Sequence, residues 1–402
     1  MRLFSFLFFL TFITPVFAQN KEISQAQSYI KSRSNLDKAE SSMRELLKDS
    51  ANRRNMKVWL TLSNVMHAQY ELANEKLYLK EKYDTAAFFN ITRRMFLVDE
   101  GLDSLDAEPN KKGRVKPKYR KKNSTYLDRY RQNLYYGGIF FIRQRDYSSA
   151  YELFDTYIDC RRQPLFSELD TVNIDERRIS TAAFWTLLSG CKMNKPDSAL
   201  KYSDLAIKNK AKFKVKAYQY LSDVYLMKKD TAEYVKALLD GFSEDSTSEF
   251  FFTRLLDYYN EKNLQDSSLI ITERALSADK DNELFLFAKS NIMLNTGRYA
   301  ECIEISDSLL ARNTSRPDVY YNVGASYINL ALLLEKSARS KKKNEKRILE
   351  CYKKALPYME KYRELMPEDK EKWAPSLYNV YLNLNMGRRF EEISDILLKM
   401  RK

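Results

Sequence analysis

Histidine occurs once in 402 residues, as His67 in the stretch NVMHAQY. One imidazole excludes zinc sites built from several histidines and leaves little room for a serine–histidine or cysteine–histidine pair. Set among apolar residues of a first helix, His67 reads as a packed core or edge histidine. Cysteine is nearly as scarce. The four, at 160, 191, 302 and 351, show neither C-x-x-C nor metal-ligand spacing, and each falls in a predicted helix. They read as small buried hydrophobes. The sequence has no phosphate-cradling glycine loop, no G-x-S-x-G and no H-E-x-x-H. Acidic pairs such as those in ELD and PEDKE are ordinary solvated helix ends. The expectation is therefore no catalysis, no metal and no cofactor.

Long apolar runs are missing beyond the first residues. MRLFSFLFFLTFITPVFAQN has Arg2, an apolar core from Leu3 to about Ile13, Pro15, and then Val16-Phe17-Ala18. This is the pattern of a secretory signal peptide cut after Ala18. The apolar run is too short for an ordinary membrane span, and no second one follows. Residues 1–18 are thus predicted to be removed, leaving a periplasmic or secreted chain that begins at Gln19 and has no transmembrane segment. Arg2 is the one charge in that leader, so the formal net charge of +14 becomes +13 in the mature chain. A basic balance suits nucleic acid or an anionic surface. Export argues against nucleic acid, which leaves an acidic protein or peptide partner, or peripheral association with the envelope.

Glycine and proline number nine each, while tyrosine and phenylalanine reach 28 and 22. Few breakers and many aromatics describe a mostly helical chain with large planar side chains at its interfaces. In LNTGRYAECIEISDSLL, Gly297 should end one helix as a left-handed cap. Tyr299, Cys302, Ile305 and Leu309 then share one face of the next. The unit recurs. Upstream, Phe252, Leu255, Leu256 and Tyr259 precede Ser268, Thr272 and Ala275, and Tyr218, Leu221, Ser222 and Tyr225 precede Tyr234, Leu238 and Gly241. Second-helix positions 234, 268 and 302 are evenly spaced, and their interval is the tetratricopeptide period. Leu134, Gly137, Gly138 and Phe141 followed by Tyr147, Ala150 and Phe154 fit the same pattern, as do Tyr320, Val323, Gly324 and Tyr327 followed late by Tyr352, Ala355 and Met359.

On these residues the chain resembles a tetratricopeptide repeat (TPR) protein of the exported bacterial type, over roughly 130 to 402. The fold this implies is all-α: a right-handed superhelical solenoid of antiparallel helix pairs, with small residues allowing close approach and large ones filling the gaps. Such proteins bind protein segments in a concave groove lined by first helices. Carried over by position, the inward-facing candidates are Tyr135 and Arg143, then Lys216, Gln219 and Asp223, Asp257 and Asn260, Phe287, Asn291 and Asn295, and Tyr321 and Asn329. The asparagines suit a peptide backbone, since an amide both donates and accepts. Gln219 and Asp223 stand where a carboxylate-clamping Lys–Asn pair would be wanted, so that clamp is not carried over.

The organisation that follows has diverged helical units at 19–108, a basic loop at 109–123, and the repeat array at 124–402 with an atypical capping unit at its end. The loop carries Lys111, Lys112, Arg114, Lys116, Lys118, Arg120, Lys121 and Lys122 without apolar periodicity, and is expected to supply charge rather than packing. Equivalent positions 302 and 355 stand further apart than one repeat, so an insertion at about 334–352 should lengthen both helices of its unit. The unit with Trp185, Leu188, Ala199 and Ala206 has a turn one residue short. The function expected is an exported non-catalytic scaffold or adaptor. An envelope component associated with carbohydrate or peptidoglycan, using tyrosines and basic segments, is the alternative.

Overall fold

The computed structural model of the chain describes residues 19–109, 112–169, 175–208, 212–336 and 341–400. The predicted leader, Lys111 and residues 337–340 of the 334–352 insertion lie outside them. Among the described residues all secondary structure is helical. The chain divides into two compact units, Met1–Ala237 and Leu238–Lys402.

The first unit opens with α1 (19–32), α2 (Leu36–Lys48), α3 (Met56–Tyr78) and α4 (Thr85–Asp106). Side-chain caps start α3 and α4: Asn55 accepts from the Lys57 amide, and Asp84 from the amides of Ala86 and Ala87. Met43, Val58, Leu62, Met66, Met95 and Phe96 form its core, each no more than 1% exposed. Next come α5 (Arg120–Asp128), α6 (Arg131–Gln144), α7 (Tyr147–Asp159), a 3-10 turn at Pro164–Phe166, and α8 (Glu176–Lys192). Gly137 and Gly138 face Phe89 and Phe154 so closely that a Cβ would lie 2.8 and 2.5 Å from those rings. That proximity explains two adjacent glycines inside a helix. After α8 the expected second helix is broken into α9 (Pro196–Leu200) and α10 (Ser203–Ala206), followed by α11 (Lys214–Met227). The turn before it spans 193–195, as long as those at 228–230, 262–264 and 296–298, so the short turn expected from the sequence is not found and the departure lies in the broken second helix. The Ala199 backbone presses against Gly190, whose added Cβ would sit 2.5 Å from the Ala199 nitrogen.

The repeat period is visible in helix starts. Second helices α12 (Thr231–Glu244), α14 (Gln265–Ala278) and α16 (Tyr299–Arg312) begin at equal intervals of one tetratricopeptide period. First helices α13 (Glu249–Glu261), α15 (Glu283–Asn295) and α17 (Pro317–Lys336) do the same. From α13 to α17 each helix packs on the next, and α15 also packs on α17. Ser268, Thr272, Ala275 and Cys302 are fully buried at the positions where the pattern demands small residues. The insertion lengthens both helices of its pair: α17 has 20 residues and α18 (Lys341–Leu365) has 25, against 13 and 14 in α15 and α16. The array closes with α19 (Lys370–Asn383) and α20 (Gly387–Met400). All four cysteines are free, and Cys160, Cys191 and Cys302 are buried.

Gly297 has φ of +78°, as a left-handed cap requires. One and two repeats earlier the same turn position is held by Asn263 and Lys229, at +56° and +58°, and Arg145 closes α6 at +62°. The turn geometry is fixed by backbone bonds from each of these amides to the preceding helix, Lys229 N–H to the Leu226 carbonyl and Arg145 N–H to that of Ile142. Left-handed geometry costs a lysine or arginine roughly 1–2 kcal/mol, partly offset because glycine loses more chain entropy on folding. Lys229→Gly and Arg145→Gly should therefore each raise stability by about 0.5–1 kcal/mol in urea denaturation, and Gly297→Ala should lower it by about 1 kcal/mol.

Candidate binding surfaces

Because α13, α15 and α17 start one repeat apart, Thr253, Phe287 and Tyr321 occupy one repeated position, and Asp257 and Asn291 another. Glu261, Asn295 and Asn329 occupy a third. All are exposed or half-buried, whereas the Phe252, Leu255, Phe285 and Val323 side chains between them are 0% exposed. The second unit therefore presents a repeated column of amide, acidic and aromatic groups on its first helices.

Part of that column is already engaged. Asn322, 3% exposed, donates from Nδ2 to Asn291 Oδ1 at 2.6 Å and to Ser290 Oγ at 3.0 Å. That bond holds the Asn291 amide in one orientation with its own NH2 group still available to donate. Asn260 Oδ1 accepts from Ser268 at 3.3 Å. Arg316 lies over the Phe287 ring at 5.6 Å, and Tyr321 packs on Tyr362 with centroids 5.3 Å apart. The side chains of Asp257, Asn295 and Asn329 make no hydrogen bond or ion pair among the described residues. In the first unit Tyr135 is half-buried against Phe154 and Tyr157, with centroids at 5.8 and 5.6 Å. Arg143 and Lys216 are exposed, and Gln219 and Asp223 half-buried.

The basic run does not behave as one loop, which corrects the sequence expectation. Its non-helical part ends at Tyr119, whose amide donates to Asp106 Oδ2 at 2.7 Å, and the last three cations lie on α5, which begins at Arg120. Arg120 makes a two-pronged ion pair with Asp103, Nε to Oδ1 and Nη2 to Oδ2 both at 2.9 Å. The two side chains are 13% and 4% exposed. Charge density alone marked the run as solvated, but a carboxylate buried on α4 needs a fixed partner, and the planar guanidinium supplies it. Lys112 and Arg114 are engaged in interactions of their own. Lys116 is exposed, and Lys118 lies over the Tyr119 ring at 5.5 Å.

His67 has partners the sequence reading missed. Its Nε2 lies 2.7 Å from Asp99 Oδ2, and the other Asp99 oxygen accepts from Ser63 Oγ at 2.5 Å. Asp99 is 0% exposed. The ring stacks on Tyr126, centroids 4.2 Å apart and planes 20° from parallel, and Tyr126 donates to Glu71 at 3.1 Å. Ser63 and His67 lie one helical turn apart on α3, so both reach one residue of α4. That spacing was the available signal, but Asp99 itself stands far along the chain on the following helix. Two cavities share this stack. One, of about 540 Å³, is lined by His67, Lys118, Lys121, Lys122, Asn123, Thr125, Tyr126 and Arg129. The other, of about 460 Å³, runs from His67 and Tyr126 towards Gln27, Lys31 and Glu71.

Beside Asp99, burial and the negative field of Asp159, Asp99 and Asp155 push the Glu100 carboxyl up to about 8, with Arg93 opposing. An unfolded glutamate ionises near 4.3, so between about pH 4 and 8 the folded chain retains a proton that the unfolded chain loses. The group therefore opposes folding increasingly as pH rises through that window. Glu100→Gln should leave stability unchanged at pH 4 and raise it by about 1–3 kcal/mol at pH 8, read from urea melts at both values.

No family model matches the chain, and no curated protein matches it. Solved structures similar to it include the C-terminal part of a TPR repeat-containing protein from Cytophaga hutchinsonii, at 12% identity and TM-score 0.42, covering 64% of this chain and 92% of that one. A TPR repeats protein from Bacteroides fragilis has 18% identity and TM-score 0.32, covering 64% and 98%. Yeast Tom70 has 13% identity and TM-score 0.27, covering 94% and 92%. The helix pairs are of tetratricopeptide type on their own geometry, through the regular period of helix starts and the small residues buried at matching positions.

Proposed function

We propose that the chain is an exported, non-catalytic scaffold or adaptor that holds a segment of another protein along the first helices of its repeats. What supports this is the repeated column on α13, α15 and α17, whose Asp257, Asn295 and Asn329 are left without intramolecular partners among the described residues, between fully buried core positions. Amides and carboxylates at a fixed repeat interval match the alternating donors and acceptors of an extended backbone. The signal-like leader supports a periplasmic or secreted location, and the net charge of the mature chain favours an acidic partner. Peptides selected from a random display library against the protein should bind saturably. The triple variant Asp257→Ala/Asn295→Ala/Asn329→Ala should bind them at least ten-fold more weakly with its melting temperature unchanged. Displacement of those peptides by soluble peptidoglycan fragments, or equal binding by the triple variant, would contradict the proposal in favour of a carbohydrate site or another surface.

A further inference from the structure

The 540 Å³ cavity beside His67 is separate from the first-helix column and goes beyond the scaffold reading. Four of its lining residues, Lys118, Lys121, Lys122 and Arg129, are cationic, and none forms an ion pair among the described residues. No carboxylate lines it. Asn123 is 6% exposed, lines the cavity, and its side-chain amide makes no hydrogen bond among the described residues. The residue is packed in place while its amide stays open to the cavity, so it is free to bond a polar group there. His67, also in the lining, is held by the fully buried Asp99 and stacked on Tyr126.

We propose that this cavity binds a small molecule bearing a multiply charged oxyanion, a phosphoryl or polycarboxylate group. Its volume lies in the range of small-ligand sites and is far too small for a folded partner. Four cationic side chains and no carboxylate line it, as oxyanion recognition requires, with the arginine fork and lysine ammonium groups supplying charge and the Asn123 NH2 group an added donor. The flat His67–Tyr126 stack gives the remainder of the ligand an aromatic face.

Titration calorimetry of the full mature chain at low salt, with pyrophosphate and with citrate as probes, tests this. At least one probe should bind with one-to-one stoichiometry, and Lys121→Gln/Lys122→Gln should weaken it at least ten-fold without changing the melting temperature of the unliganded protein. Asn123→Asp, which keeps the shape but adds a negative charge to the cavity, should weaken it as well. A control that removes two exposed lysines elsewhere, Lys353→Gln/Lys399→Gln, should bind like the parent. If the control loses as much affinity as the cavity variant, the attraction is diffuse and the proposal fails. It also fails if neither probe binds, and binding of hexaglutamate in their place would assign the run to an acidic peptide.

Discussion

Arg120→Met should destabilise the protein by about 3–5 kcal/mol, although it removes one cation from a run of eight. The substitution leaves Asp103, 4% exposed on α4, with its negative charge and no guanidinium. Most of the cost is that uncompensated carboxylate, because the exchange of a buried ion pair for two apolar groups is itself nearly neutral. The double variant Arg120→Met/Asp103→Leu should accordingly recover most of the loss. Lys116→Gln, at an exposed position of the same run, should change stability by less than about 0.5 kcal/mol. Urea denaturation of the four proteins checks this. A cost below about 1 kcal/mol for Arg120→Met would mean that the run is a solvated loop after all.

Phe252→Ala should cost a similar amount, about 3–5 kcal/mol, by a different mechanism. Phe252 on α13 and Phe285 on α15 are both 0% exposed, with ring centroids 4.6 Å apart. Truncation opens a cavity between neighbouring first helices that closely packed surroundings cannot refill. In a repeat array each pair leans on its neighbours, so hydrogen exchange should speed up first in α13 to α16. Uniform loss of protection along the whole chain, or a cost under about 1.5 kcal/mol, would contradict the packing described here.

Residues 252, 268, 275 and 302 were legible in the sequence because repeat packing imposes one size of side chain at one position in every repeat. The left-handed turn was legible only where glycine occupies it, at Gly297. Lys229 and Arg145 adopt the same geometry through backbone bonds that no side chain announces. Pairings across helices were hidden for a related reason. Asp103 meets Arg120 and Asp99 meets His67 because α4 packs on both α3 and α5, and neither carboxylate has a local sequence signature. The groove candidates divided in the same way. Exposed Asp257 and Asn295 and half-buried Asn329 were left without partners among the described residues, while Asn291, Phe287 and Tyr321 acquired neighbours from the following repeat or the helix after it.

The proposed binding surface is tested most directly by photo-crosslinking in living cells, with benzoylphenylalanine placed at Asp257, Asn295 or Asn329 on the first helices and at Glu273 or Glu304 on the second. The first three positions should capture the same polypeptide, seen as one shifted band, and the last two should not. Equal capture from both sets, or adducts that carry glycan and no peptide, would contradict a protein segment bound along the first helices.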